Sequence, residues 1–198
     1  MTTDSTSVSD PTNRIANVPN ALSLIRLILA FFVGFLIEWG SYLPAMWVFI
    51  FAASTDFVDG WWARKFNQVT KVGRILDPFV DKIIITAALV ALAAHAGSQI
   101  APWIATVIIG REFLVTSIRA MVEGQGGDFS ARWMGKWKMV LQCAAIVASL
   151  LLLASATPGQ WLSITTIVLV WAALLLTVMS GADYVVQAVK IFRVQSVS

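Results

Sequence analysis

The chain has 198 residues, of which 58% are hydrophobic and only 13% charged, with a formal net charge of +3. A soluble domain carries about 25% charged residues, so this composition excludes an ordinary soluble globular domain and points to a bilayer. The basic residues form no long run interleaved with aromatics, which argues against a nucleic-acid partner, and the single Cys143 has no intrachain disulfide partner and reads as a small buried thiol at a helix interface.

In chain order, residues 1–14 are rich in Thr, Ser and Asp, with no basic segment ahead of an apolar one. They read as a disordered cytoplasmic tail and not as a secretory signal. Asn17, Pro19 and Asn20 give a helix-start signal, and a first span is expected over residues 21–39. Gly40, Ser41 and Pro44 break it before a second span at 43–62. A polar loop is expected at 65–72, a third span at 73–94, a turn at 96–99 and a fourth span at 100–122. A Gly-rich polar connection at 123–132 precedes a fifth span at 133–154. Thr157, Pro158 and Gly159 break that span, a sixth follows at 161–186, and an amphipathic tail with Lys190 and Arg193 closes the chain. Each segment approaches the roughly 20 apolar residues that a crossing requires. The expected fold is an all-α integral membrane protein with six transmembrane helices: one domain over residues 15–190, with 191–198 a second cytoplasmic tail. No internal repeat of the kind found in inverted-repeat transporters is visible.

Orientation follows from Lys and Arg. The odd-numbered connections, 38–44, 95–101 and 155–160, contain neither residue, and all fourteen fall in the tails, the even connections or the helix segments beside them. The positive-inside rule then puts both termini in the cytoplasm. Trp39, Trp47, Trp61, Trp62, Trp103, Trp133, Trp137 and Trp161 stand near span ends, as interfacial belts do.

Four acidic residues interrupt this apolar pattern. Asp56, Asp59, Asp77 and Asp81 lie in the sequence D-x2-D-G-x2-A-R-x8-G-x3-D-x3-D, together with Gly60, Ala63, Arg64 and Gly73. A charged side chain at membrane depth costs about 2.5–3.5 kcal/mol. Four unpaired carboxylates would therefore cost on the order of 10 kcal/mol, comparable to the whole stability of a domain, so a cation must hold them. On helices each pair shares one face, with Cβ atoms about 5–6 Å apart. Two such pairs brought together make an oxygen-rich site for Mg²⁺ or Mn²⁺, and two divalent ions can clamp the oxygens of a phosphoryl displacement. Gly60 permits close backbone approach, Ala63 keeps the same face open, Arg64 supplies a cationic fork for phosphate, Thr70 offers a hydroxyl, and Gly73 allows contact where the third span begins. Pro78, directly after Asp77, is expected to strain or restart the helix.

This pattern resembles the signature of the CDP-alcohol phosphotransferases, membrane enzymes of phospholipid synthesis, and matches it fully over residues 56–81. The resemblance implies a six-helix membrane fold with two divalent metal ions, attack of an alcohol on the β-phosphorus of a CDP-linked lipid, and release of CMP. Carried over, Asp56, Asp59 and Asp77 would hold one metal, Asp77 and Asp81 would serve the second, and Asp81 would be the general base. On the same basis Pro19, Asn20, Gly60, Ala63, Arg64, Thr70 and Gly73 would bind the CDP-lipid. A homodimer is also implied.

Arg111 and Arg119 are eight apart and share a helix face, while Lys136 and Lys138 open the fifth span on the same expected side. They could be topology signals with snorkelling side chains, or a pocket for an anionic acceptor such as a glycerol phosphate. Val18-Pro19-Asn20 with Leu22, Ser23 and Arg26, Leu76-Asp77-Pro78 with Asp81-Lys82, Arg111-Glu112-Phe113 with Arg119, and Gly135-Lys136-Trp137-Lys138 with Gln142 resemble the bacterial phosphatidylglycerophosphate synthase branch. That branch implies CDP-diacylglycerol and sn-glycerol 3-phosphate as substrates and a cytoplasmic-facing site in the bacterial inner membrane. Met139 and Val80 depart from the branch pattern, where Thr and Ala are expected. Alternatives are a cardiolipin synthase with phosphatidylglycerol as acceptor, an inositol-phosphate transferase or, from another class, a cation transporter lined by the carboxylates. Glu112 reads as an ion-pair partner orienting the helix or as a substrate contact, Glu38 as a solvated loop end and His95 as structural, while Asp183 has no assigned role.

Overall fold

The computed structural model describes the backbone of residues 18–66, 71–124 and 133–195, and the side chains of 24–55, 82–122 and 137–189. The regular elements among the described residues are all helical: α1 (Val18–Glu38), α2 (Tyr42–Phe66), α3 (Lys71–Ala93), α4 (Pro102–Gly124), α5 (Trp133–Ala154) and α6 (Gln160–Gln195), with a short 3-10 turn at Ala96–Ser98 before α4. The six helices follow the six expected apolar segments.

Three local features differ from the sequence expectation. The helices α2 and α3 continue into the stretch assigned to a polar loop, leaving 67–70 between them. Hydropathy marks where a helix leaves an apolar medium, whereas Ala, Arg and Lys are good helix formers wherever they lie. For the same reason α6 runs on through Lys190 and Arg193. Its 36 residues span about 54 Å at 1.5 Å per residue, well beyond a hydrocarbon core of about 30 Å. Finally, α3 passes through Pro78 without restarting; the proline removes one N–H donor near the helix start, and the remaining ladder is enough.

The turns away from the aspartates are well defined. Gly40 takes φ +74°; its N–H donates to the Ile37 carbonyl at 3.0 Å, and the Ser41 N–H to that of Leu36 at 2.8 Å. This is a Schellman closure of α1, which requires the left-handed residue that glycine supplies most cheaply. Between α3 and α4, Gln99 takes φ +63°, and the buried Ser98 hydroxyl accepts the Ile100 N–H at 3.1 Å.

One apolar cluster joins all six helices, including Val33 and Ile37 of α1, Phe49 of α2, Leu92 of α3, Ile108 of α4, Leu150 of α5 and Val170 of α6. Around it, α1 packs on α2 and α3, and α6 packs on α4 and α5. The helices α4 and α6 run parallel, with the Trp103 and Trp171 rings 5.9 Å apart. Further along, Val115 and Val122 join Tyr184 and Ala188 in a second, smaller cluster. The outward faces are as apolar as the core: Phe31 is 69% exposed, Phe51 61% and Leu175 58%. A protein in water rarely leaves such continuous faces uncovered. Trp137–Ala154 and Gln160–Val189 are long and apolar enough to cross a bilayer. This is a membrane protein.

Candidate active site

The four aspartates fall on two contacting helices: Asp56 and Asp59 on α2, Asp77 and Asp81 on α3. Three or four residues along a helix is about one turn, so each pair shares a helix face. Their side chains, with those of Pro19, Asn20, Gly60, Ala63, Arg64, Gly73 and Lys136, and the whole of Thr70, lie outside the described residues. No group of three or more His, Cys, Asp or Glu occurs among the described side chains. The motif's own aspartates supply carboxylate oxygens, the ligand type that hard divalent cations take.

Arg111, Arg119 and Lys138 are placed in detail, and they are more committed than a snorkelling side chain would be. Lys138 on α5 is 7% exposed, and its ammonium pairs with the Glu112 carboxylate of α4. Arg111 spends three donors inside the protein. Its Nε donates to the Thr177 carbonyl at 3.2 Å, its Nη2 to Ser180 Oγ at 2.8 Å and its Nη1 to Glu112 Oε1 at 3.4 Å. Gln142 of α5 also donates to Glu112 at 3.5 Å and, at 3.0 Å, to the Thr177 hydroxyl. Glu112 thus ties α4 to α5, and Thr177 ties both to α6. Of the two roles open to Glu112 in the sequence, the ion pair is the one seen.

Arg119 is held more loosely. Its Nη2 donates to the Tyr184 hydroxyl at 3.2 Å, while its buried Nε has no hydrogen-bond partner. The Tyr184 ring lies 5.7 Å from the Arg111 guanidinium carbon and 5.8 Å from that of Arg119, within cation–π range. Two cations, Arg111 and Lys138, thus pair with one carboxylate, and Arg119 adds a third positive charge across the Tyr184 ring. Lys82, the residue after Asp81, acts electrostatically on both Glu112 and Lys138, so the basic cluster neighbours the motif end of α3.

Elsewhere the structure agrees with the structural assignments made from the sequence. His95 meets Tyr42 edge-on, ring centroids 5.7 Å apart, and Glu38 is exposed at the end of α1. Cys143, expected to be buried, is only half-buried, packed against the core from α5. The residues that sequence reasoning overlooked are Thr177, Ser180, Gly181 and Tyr184. Their signal was there: four small or polar residues at intervals of three, one and three along an otherwise apolar helix form a single stripe.

Comparison with known proteins bears on what this arrangement does. The family model described as CDP-alcohol phosphatidyltransferase matches residues 16–179. A Bacillus subtilis (strain 168) protein named CDP-diacylglycerol–glycerol-3-phosphate 3-phosphatidyltransferase is 37% identical over 185 residues, covering 85% of this chain and 93% of the relative. A Yersinia pestis (strain Pestoides F) protein of the same name is 34% identical over 178 residues, covering 85% and 92%. One from Haemophilus influenzae is 33% identical over 177 residues, covering 85% and 91%.

Proposed function

Because the chain belongs to the CDP-alcohol phosphatidyltransferase family, we propose that it transfers a phosphatidyl group from CDP-diacylglycerol to sn-glycerol 3-phosphate. The products are phosphatidylglycerophosphate and CMP. The observation that carries the choice of acceptor is the cluster of the half-buried Arg111 and Arg119 and the buried Lys138 near the motif end of α3. A phosphate monoester brings about 1.5–2 negative charges at neutral pH, and such a cluster suits it; an uncharged alcohol would need no such cluster.

The chemistry divides by region. Asp56, Asp59, Asp77 and Asp81 hold two divalent ions, Mg²⁺ or Mn²⁺, which when bound neutralise the pyrophosphate and the departing CMP. Arg64 offers a fork to a phosphate of the CDP group, with Pro19, Asn20, Ala63 and Thr70 beside it. Gly60 and Gly73 leave room for that group to approach the backbone. Asp81 takes the proton of the glycerol hydroxyl. The hydroxyl oxygen bonds to the β-phosphorus, and the bond to the CMP oxygen breaks. Arg111, Arg119, Lys136 and Lys138 hold the acceptor phosphate, which turns a bimolecular encounter into a positioned attack.

All six helices cross the bacterial inner membrane in this proposal, with both termini and the site on the cytoplasmic side and the acyl chains entering laterally from the inner leaflet. The exposed apolar faces and the distribution of Lys and Arg support that arrangement. The protein works as a homodimer. The test is CMP release by the purified protein with CDP-diacylglycerol and a panel of acceptors. Turnover with glycerol 3-phosphate is expected. Turnover only with phosphatidylglycerol or an inositol phosphate would overturn the acceptor, and no CMP release with any alcohol would overturn the reaction.

A further inference from the structure

We infer that Ser180, Gly181 and Tyr184 of α6 are positioning residues that fix Arg111 and Arg119 as a rigid pair of phosphate donors. The inference rests on the acceptor site proposed above and adds to it a third helix. All three residues lie beyond residue 179, where the family match ends.

Two guanidinium groups on one face of α4 repel each other, and in an apolar setting that repulsion is weakly screened. Left to themselves, their long side chains would spread apart and lose the geometry that a phosphate needs. The α6 face opposes this in three ways. The Tyr184 ring, itself buried, stands within 5.7 and 5.8 Å of the two guanidinium carbons, offering its electron-rich system to both. Its hydroxyl accepts from Arg119 at 3.2 Å. Ser180 Oγ accepts from Arg111 at 2.8 Å, one residue before a glycine whose missing side chain makes the contact feasible. A Cβ on Gly181 would stand 2.9 Å from Arg111 Cγ and 3.3 Å from its Nε. Those atoms belong to the stem and fork base of the arginine, so they cannot swing clear as a chain tip would. The bare backbone at Gly181 lets Arg111 lie across α6 and reach Ser180 and the Thr177 carbonyl.

What remains is a donor set with its geometry set in advance. Arg111 retains N–H groups beyond the three committed ones, and Arg119 keeps its buried Nε without a partner. Preorganised donors of this kind spare the substrate the cost of ordering them.

The experiment compares Gly181→Ala, Ser180→Ala, Tyr184→Leu and Tyr184→Phe in the full-length protein, with Arg119→Gln as reference. KM for glycerol 3-phosphate, KM for CDP-diacylglycerol, kcat and thermal midpoint are measured for each. Gly181→Ala and Tyr184→Leu are expected to raise KM for glycerol 3-phosphate about tenfold, the scale of a sub-ångström misplacement of a binding group. Ser180→Ala and Tyr184→Phe, which each lose one hydrogen bond and keep the packing, are expected to raise it about threefold. KM for CDP-diacylglycerol and kcat should stay within about twofold for all four. If both KM values and kcat move together, the role is structural and the inference fails. It also fails if Arg119→Gln raises KM for glycerol 3-phosphate while the α6 variants do not, and the acceptor site then stands. If Arg119→Gln itself leaves that KM unchanged, the acceptor site falls and the inference with it. Should Gly181→Ala or Tyr184→Leu not fold, the two conservative variants decide.

Discussion

The acidic motif and the basic cluster serve one proposed reaction but are built in opposite ways. The motif occupies residues 56–81, on two consecutive helices whose spacing alone puts each carboxylate pair on one face. The cluster is assembled from three helices: Lys138 reaches Glu112 across 26 residues and Arg111 reaches Thr177 across 66. The first is a local device that depends on helix periodicity. The second depends on the whole bundle being folded and on a carboxylate that keeps like charges together. Damage to the motif should therefore abolish chemistry and leave the bundle intact, whereas damage to the cluster should show in stability as well as in acceptor binding.

The largest effect tests the motif. Asp81→Asn should lower kcat at least about a thousandfold, the upper range for loss of a general base, with an unchanged thermal midpoint. Wild-type-like turnover would remove Asp81 from the mechanism. Chelation of divalent ions by EDTA should likewise abolish CMP release, and added Mg²⁺ or Mn²⁺ should restore it. Activity that persists in EDTA would separate the four aspartates from any metal.

The next effect tests the cluster. Glu112→Leu leaves the Arg111 and Lys138 charges without their shared carboxylate, and removing one partner of a buried pair costs about 3–5 kcal/mol. A fall in thermal midpoint is expected, and it should be partly recovered in Glu112→Leu/Lys138→Met, because the second change removes one of the stranded charges. A double variant no more stable than the sum of the single ones would show that Glu112 and Lys138 are not coupled.

That contrast also explains what was legible in the sequence. The six apolar segments, the all-helical class and the aspartate motif could be read because each is written locally, in a run or a spacing. Helix ends at Phe66, Lys71 and Gln195 could not, because polar residues with good helix propensity continue a helix beyond its apolar segment. The pairing of Arg111 with its neighbour Glu112 could be read, but not that of Lys138 with Glu112 or of Arg111 with Ser180, since nothing in sequence order records which faces of α4, α5 and α6 meet. Tyr184 was hidden most completely. Within an apolar helix a tyrosine reads as packing, and only the two guanidinium groups beside its ring give it another role.

A smaller effect addresses the medium that both regions share. Phe31 on α1 is 69% exposed, and in water replacing it with a charged residue would be neutral or favourable. In a bilayer, Phe31→Arg should cost about 2.5–3.5 kcal/mol of insertion, read as a reduced membrane-inserted fraction. Full insertion and a higher soluble yield would instead mean that this face of α1 is not lipid-facing, and would count against the six-span proposal.

The smallest effect separates stability from site geometry. Gly40 lies at the turn between α1 and α2, with the motif at the opposite end of α2. A Cβ there would meet nothing within 4 Å, so Gly40→Ala changes no packing and disturbs no charge. Only the backbone objects: φ of +74° is left-handed, and an alanine there costs about 1–2 kcal/mol. The thermal midpoint should fall by a few degrees while kcat and both KM values remain those of the parent. Because this loss is close in size to that of a buried hydrogen bond, it calibrates the α6 variants. If Gly40→Ala were to raise KM for glycerol 3-phosphate as Ser180→Ala is expected to, general loosening of the bundle would account for both, and the arginine pair would have no separate support from α6.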